Sequence, residues 1–143
     1  MPKTLFILND PPYGTERSYN ALRLAGSLSK RDGEEVKVFL LGDAAGCAKK
    51  DQKVPQGYYN TEVMLRGVGR RGEEIGVCGT CMDARGIGDA ELTDATHRSS
   101  LDELTNWCSG RIARSCSDWG RSRGEREDHS DLGRRHWRAS GRQ

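Results

Sequence analysis

Thr4-Leu-Phe-Ile-Leu-Asn-Asp-Pro-Pro-Tyr-Gly-Thr15 opens a unit that closes with Val36-Lys-Val-Phe-Leu-Leu41. Thr4–Leu8 is a continuous apolar run of strand length, and Asn9-Asp10-Pro11-Pro12 ends it. Such a run, without polar alternation, reads as a strand buried on both faces. Asp10 to Gly14 is a turn, because proline cannot continue a ladder and glycine relaxes the backbone. From Thr15 to Lys30, Ala21, Leu22, Ala25 and Leu28 recur at helical spacing, and Gly33 stands where a helix stop belongs. Val36–Leu41 is a second buried strand, closed by Gly42-Asp43. Strand, helix and strand in this order form a βαβ unit with parallel strands and a right-handed crossover.

Outward from that unit the pattern continues to about Trp107. Ala44-Ala45 and Cys47-Ala48 begin a short helix, and Lys49 to Gly57 reads as an exposed loop. Asn60 or Thr61 caps a helix carrying Val63, Met64, Leu65 and Val68, which ends near Gly69 to Gly72. Glu74-Ile-Gly-Val-Cys78 is a short third strand. Ser100-Leu-Asp-Glu103 matches a capping box, so a helix starts there and uses Leu101, Leu104 and Trp107.

The chain of 143 residues suits one domain. It is 34% hydrophobic and 31% charged, averages that conceal two unlike halves. From Cys108 to Gln143 apolar residues are scattered, no periodicity appears, and every basic side chain except histidine is arginine. The net charge of +2 comes from this tail. The division is therefore an α/β domain over 1–107 and an Arg/Ser/Gly-rich tail over 108–143. The tail reads as disordered or as out of frame, since an α/β domain calls for another apolar strand after the Ser100 helix and none is evident. Its acidic residues, such as Glu125, Glu127 and Asp128, dilute the arginine charge and argue against nucleic acid as a partner.

No segment approaches the ~20 apolar residues of a membrane helix, and the first apolar run is too short for a signal peptide. The expectation is a cytoplasmic protein whose thiols stay reduced. Five cysteines in that setting point to redox, sulfur or metal chemistry before a disulfide framework, and their odd number opposes complete pairing.

Cys78-Gly-Thr-Cys81 follows directly on the third strand. In an open parallel sheet, chemistry gathers at the carboxyl ends of strands. A cysteine there, followed by Gly79 and Thr80 and a helix start, meets backbone N–H groups that favour thiolate, and Arg85 adds positive charge. Thiolate is the species that attacks sulfur. Cys81 lies near enough to resolve a disulfide or persulfide on Cys78. A zinc half-site lacks a second ligand pair and would have to recruit His97, Cys108 and Cys116. A thioredoxin-type dithiol fits the motif but not its place after a third strand. Asp83 and Arg85 read as a local polar pair, His97-Arg98 as a solvent-facing pair before the cap, and Cys47 as a buried or idle thiol. Tyr13-Gly14-Thr15 has backbone N–H groups to offer an anion, against a turn with a helix cap as the plainer reading. It is not a phosphate loop, because the Gly-Lys-Ser/Thr ending is absent.

Lys3-Thr-Leu-Phe-Ile-Leu-Asn-Asp-Pro-Pro-Tyr-Gly-Thr-Glu-Arg17 and Ile75-Gly-Val-Cys-Gly-Thr-Cys-Met-Asp-Ala-Arg-Gly-Ile87 resemble the opening and the cysteine segment of DsrE/DsrF/TusD-like sulfur-relay proteins. The resemblance covers roughly residues 3–107. It implies a flavodoxin-like open parallel sheet with helices on both faces, and Cys78 as sulfur carrier with Cys81 as a second cysteine found in some members. It further implies persulfide transfer between donor and acceptor proteins, and trimeric or hexameric association. No cofactor or metal is called for. Past Trp107 the sequence departs, with the family's final apolar strand missing or replaced by the tail. Three functions compete: a sulfur carrier or sulfurtransferase, a non-catalytic oligomeric binding module, and a dithiol redox protein using Cys78 and Cys81.

Overall fold

The computed structural model describes residues 3–115. β1 (Lys3–Leu8), β2 (Glu35–Leu40), β3 (Glu74–Cys78), β4 (Thr96–Ser99) and β5 (Ile112–Ser115) form one sheet in the order β4-β3-β2-β1-β5. Every neighbouring pair is parallel. The helices are α1 (Arg17–Leu28), α2 (Thr61–Gly69), α3 (Gly79–Ala84) and α4 (Leu101–Cys108). A 3-10 segment, Gly42–Ala48, follows β2. This is the expected open parallel α/β architecture.

Strand alternation divides the apolar residues between the two faces. Phe6 and Leu8, Val36, Val38 and Leu40, and Ile75 and Val77 pack with Leu22, Leu65 and Met82 in the larger core. Leu5 and Phe39 pack on the opposite face with Cys78, Leu104 and Trp107 of α4. Trp107 meets the Phe39 ring edge-on, with centroids 5.9 Å apart, and Lys37 Nζ lies 4.7 Å from its ring centre. Such aromatic contacts contribute about 0.5–1.5 kcal/mol beyond burial. Gly76 makes room for this packing, since a Cβ there would stand 3.1 Å from both Phe39 Cδ2 and Ser99 Cβ.

The structure departs from the sequence expectations at three points. The sheet does have a closing strand: β5 runs beside β1, with Thr4 paired to Ile112 and Ile7 to Ser115. Its Ile-Ala-Arg-Ser sequence carries no apolar run because it is an outer strand, and the sheet thus extends past the boundary placed at Trp107. β4, Thr-His-Arg-Ser, was not anticipated for the same reason. Leu101 is 71% exposed and only Leu104 and Trp107 of α4 are buried. Residues 49–57 form the exposed loop that the sequence suggests, and Gln52 pins it. Its side chain donates to the carbonyls of Cys47 and Lys49 and accepts from the hydroxyls of Tyr13 and Thr61. Its backbone N–H donates to the buried Glu62. The tail reading for residues after Ser115 lies outside the described residues.

The Asn60 cap forms as the sequence suggests, whereas the Ser100–Glu103 capping box forms only its serine half. Asn60 Oδ1 accepts from the Val63 N–H at 3.2 Å, and Ser100 Oγ accepts from Glu103 N–H at 3.4 Å. The Glu103 carboxylate meets His97 Nε2 at 2.6 Å. α1 stops at Leu28, and Gly33 serves the following turn with φ +82°.

Two glycines of α2 separate propensity from packing. A Cβ on Gly69 would lie 2.3 Å from Ala95 Cβ, whereas one on Gly67 meets nothing within 4 Å. Gly67→Ala is expected to raise unfolding free energy by about 0.5–1 kcal/mol through backbone entropy. Gly69→Ala is expected to lower it by about 1–3 kcal/mol through overpacking. Urea unfolding of both variants checks the opposite signs.

Candidate functional site

β3 ends at Cys78 and α3 begins at the next residue, so Cys78 is the N-cap of α3 at the carboxyl edge of the sheet. Gly79 permits this abrupt change from strand to helix beside β4. A Cβ on it would press on Arg98 Nη1 at 3.0 Å and on the Ser99 carbonyl at 3.2 Å. Cys78 is 9% exposed, enclosed by Leu5, Phe39, Leu104 and Trp107 on the α4 face.

The sulfur atom sits 3.3 Å from Thr80 Oγ1. Burial pushes the Cys78 thiol up, but the Cys81 thiol and the Thr80 hydroxyl donate to the thiolate and together hold it below the usual thiol range. The backbone N–H groups of Cys81 and Thr80 act in the same direction. Cys81 goes the other way. Burial first, and then its hydrogen bond to Cys78, push its thiol up, opposed by the Gly42 N–H and the charge of Arg85. Two cysteines three residues apart thus differ in character: Cys78 is the more readily ionised thiol and Cys81 the one that holds its proton longer.

Arg85 faces Cys81 and not the Cys78 sulfur. Its Nη1 donates to the Cys81 carbonyl at 3.1 Å, and Nη2 pairs with Asp43 Oδ1 at 2.7 Å. The expected Asp83–Arg85 pair is not formed, because Asp83 is taken by Arg98 at 2.9 Å. Arg98, read as facing solvent, reaches from β4 back over α3. Sequence gave no sign of this contact, since its partners lie 9 to 19 positions away. Cys47 is fully buried in the larger core, as its plainer reading had it.

Tyr13, Gly14 and Thr15 line a cleft of about 570 Å³ with Lys53, Tyr58 and Tyr59, and no residue of 78–81 contributes to its walls. Tyr59 stacks between Tyr13 and Tyr19, with centroids 5.6 and 4.1 Å away. The turn is closed by its own acid, since Thr15 Oγ1 donates to Asp10 Oδ2 at 3.0 Å. That carboxylate supports the turn reading over an anion site. Among the described residues, no three His, Cys, Asp or Glu side chains converge as a metal site, and no helix is long and apolar enough to cross a membrane.

Comparison with known proteins agrees with this arrangement. The protein YchN of Escherichia coli strain K12 is 34% identical over 108 residues, which cover 75% of this chain and 92% of that protein. The uncharacterized protein MK0008 of Methanopyrus kandleri is 35% identical over 101 residues, covering 71% and 82%. The crystal structure of Escherichia coli YchN superposes with a TM-score of 0.76 at 32% identity, covering 80% of this chain and 99% of that one. The structure of MTH1491 from Methanobacterium thermoautotrophicum, at TM-score 0.64 and 10% identity, covers 80% and 99% and shares the fold alone. A sequence profile of the DsrE/DsrF-like family matches residues 2–110, which include the whole of β3, the Cys78 turn and α4. With the sheet, the cysteine turn and these relatives in accord, the chain belongs to the DsrE/DsrF-like family.

Proposed function

We propose that this protein carries sulfane sulfur as a persulfide on Cys78 and passes it to a cysteine of a partner protein. One observation carries the reading: the Cys78 sulfur, at a strand end and a helix start, is held toward thiolate by Thr80 and Cys81. The Cys78 thiolate attacks the terminal sulfur of a donor persulfide, a Cys78–sulfur bond forms, and the donor leaves as thiolate. An acceptor thiolate then attacks the terminal sulfur on Cys78, and the Cys78 thiolate leaves. Sulfur moves between thiols with no net oxidation, and no cofactor enters the balance. Cys81 and Thr80 are placed to donate to the anionic sulfur at both stages, while Arg85 keeps Cys81 in position through its carbonyl. Donor and acceptor proteins are the partners in this reading, and the assembly implied by family resemblance is a trimer or hexamer working in a reducing cytoplasm. The cleft of Tyr13, Gly14 and Thr15 is assigned no step.

The hydrogen bond between the two thiols favours a second reading, a Cys78–Cys81 dithiol couple. That couple needs a reversible disulfide, which either single Cys→Ser change abolishes.

Incubating the reduced protein with a small-molecule persulfide donor is expected to add the mass of one sulfur to the Cys78 peptide. Cys78→Ser should remove that uptake, and normal uptake by the variant would falsify the assignment. A closed disulfide without added sulfur would favour the dithiol couple.

Alkylation follows the thiolate, so a lowered Cys78 pKa makes its rate climb at lower pH than that of Cys81, whose thiol is pushed up. Peptide-resolved iodoacetamide labelling across pH should therefore modify Cys78 first. Thr80→Val removes one donor to the thiolate, moves the Cys78 profile to higher pH, and slows its labelling at neutral pH by about fivefold, the worth of one ordinary hydrogen bond.

A further inference from the structure

Arg98 is the residue that joins β4, α3 and the segment after α3 at one point. Its Nη1 donates to the Gly79 carbonyl at 3.2 Å, immediately after Cys78. Nη2 donates to Asp83 Oδ1 at 2.9 Å on α3, and Nε donates to Asp89 Oδ1 at 2.5 Å. Three separate nitrogens of one planar group are thus committed to three partners. The backbone of β4 is fixed in turn by its ladder to β3, where Val77 pairs with Arg98 and Cys78 with Ser99. The Arg98 side chain therefore starts from a strand registered against the cysteine and ends on the helix that follows the cysteine. The site is fitted closely, since a Cβ on Gly79 would stand 3.2 Å from Arg98 Cγ and 3.0 Å from Nη1.

We infer that Arg98 is a positioning residue for Cys78, holding the Cys78-Gly79-Thr80-Cys81 turn so that the Thr80 and Cys81 donors stay aimed at the sulfur. α3 has six residues, too few to hold its orientation by its own hydrogen bonds. Its orientation must come from outside contacts. Met82 anchors one side in the larger core, and Arg98 ties the opposite, solvent-facing side through Asp83 and the Gly79 carbonyl. The Arg98 guanidinium bonds to Gly79, Asp83 and Asp89 and not to the sulfur, so its effect passes through geometry. The requirement is for a fork, because a lysine ammonium is a point donor and cannot reproduce three divergent hydrogen bonds.

This inference rests on Cys78 being the reactive thiol, yet its test does not depend on sulfur transfer. The readout is the pH profile of Cys78 alkylation in the full chain, with thermal unfolding measured alongside. Arg98→Met is expected to move the profile to higher pH and slow labelling at neutral pH by about fivefold, as for loss of one donor to the thiolate. Arg98→Lys should behave like Arg98→Met. Should either fail to fold, Asp83→Asn with Asp89→Asn weakens the same clamp at two exposed carboxylates and should move the profile in the same direction. A wild-type profile in folded Arg98→Met, or in the double variant, overturns the inference. So does a wild-type profile in Arg98→Lys, which would mean that charge alone matters. If Cys78 takes up no sulfur while these shifts appear, the positioning role stands and the sulfur-carrier reading falls.

Discussion

All five strands point the same way, and the cysteine site depends on that constraint. A parallel ladder places the carboxyl ends of all strands on one edge, where each crossover departs. At β3 the departure is immediate, from strand at Cys78 to helix at Gly79. The sulfur therefore stands where the backbone amides have just turned toward it and where Thr80 and Cys81 follow within one helical turn. The low-lying thiol of Cys78 and the raised thiol of Cys81 are two outcomes of the same bend. One sulfur receives donors and the other supplies one.

The two faces of the sheet do unequal work. Among the described residues, α1, α2 and the 3-10 segment cover the larger core, while α4 places Leu104 and Trp107 over Leu5, Phe39 and Cys78. Cys78 thus belongs to the thinner layer, closed by few large side chains. Gly76, one pleat before it, gives up its own side chain so that Phe39 and Ser99 can approach. Packing in this layer and reactivity at its edge are for this reason hard to alter separately.

The interior was legible in the sequence, and the margins were not. β1, β2 and β3 declare themselves because burial on both faces demands unbroken apolar runs such as Leu5-Phe-Ile-Leu8. Cys78 was legible because a strand, a cysteine and a glycine adjoin in sequence as well as in space. β4 and β5 were opaque for a physical reason: strands at the border of a sheet need hydrogen bonds on one side only and little apolar surface. Arg98 and Gln52 were opaque because their roles are set by partners distant along the chain. A lone glutamine in a polar stretch gives no hint that it will tie Tyr13, Cys47, Thr61 and Glu62 together. Asp83 and Arg85, close in sequence, chose remote partners over each other.

The position of β5 has a bearing on how the chain acquires its shape. β1, the first of the described strands along the chain, ends up interior to the sheet, and its outer neighbour is the last of the described strands to be synthesised. Until Ile112–Ser115 has left the ribosome, Leu5-Phe-Ile-Leu8 has β2 on one flank and an open row of amides and carbonyls on the other. An apolar border of that kind is a template for pairing with foreign strands. The short β5 thus acts as a late seal: it contributes little to the core, yet its pairing covers the flank of β1 that β2 leaves open.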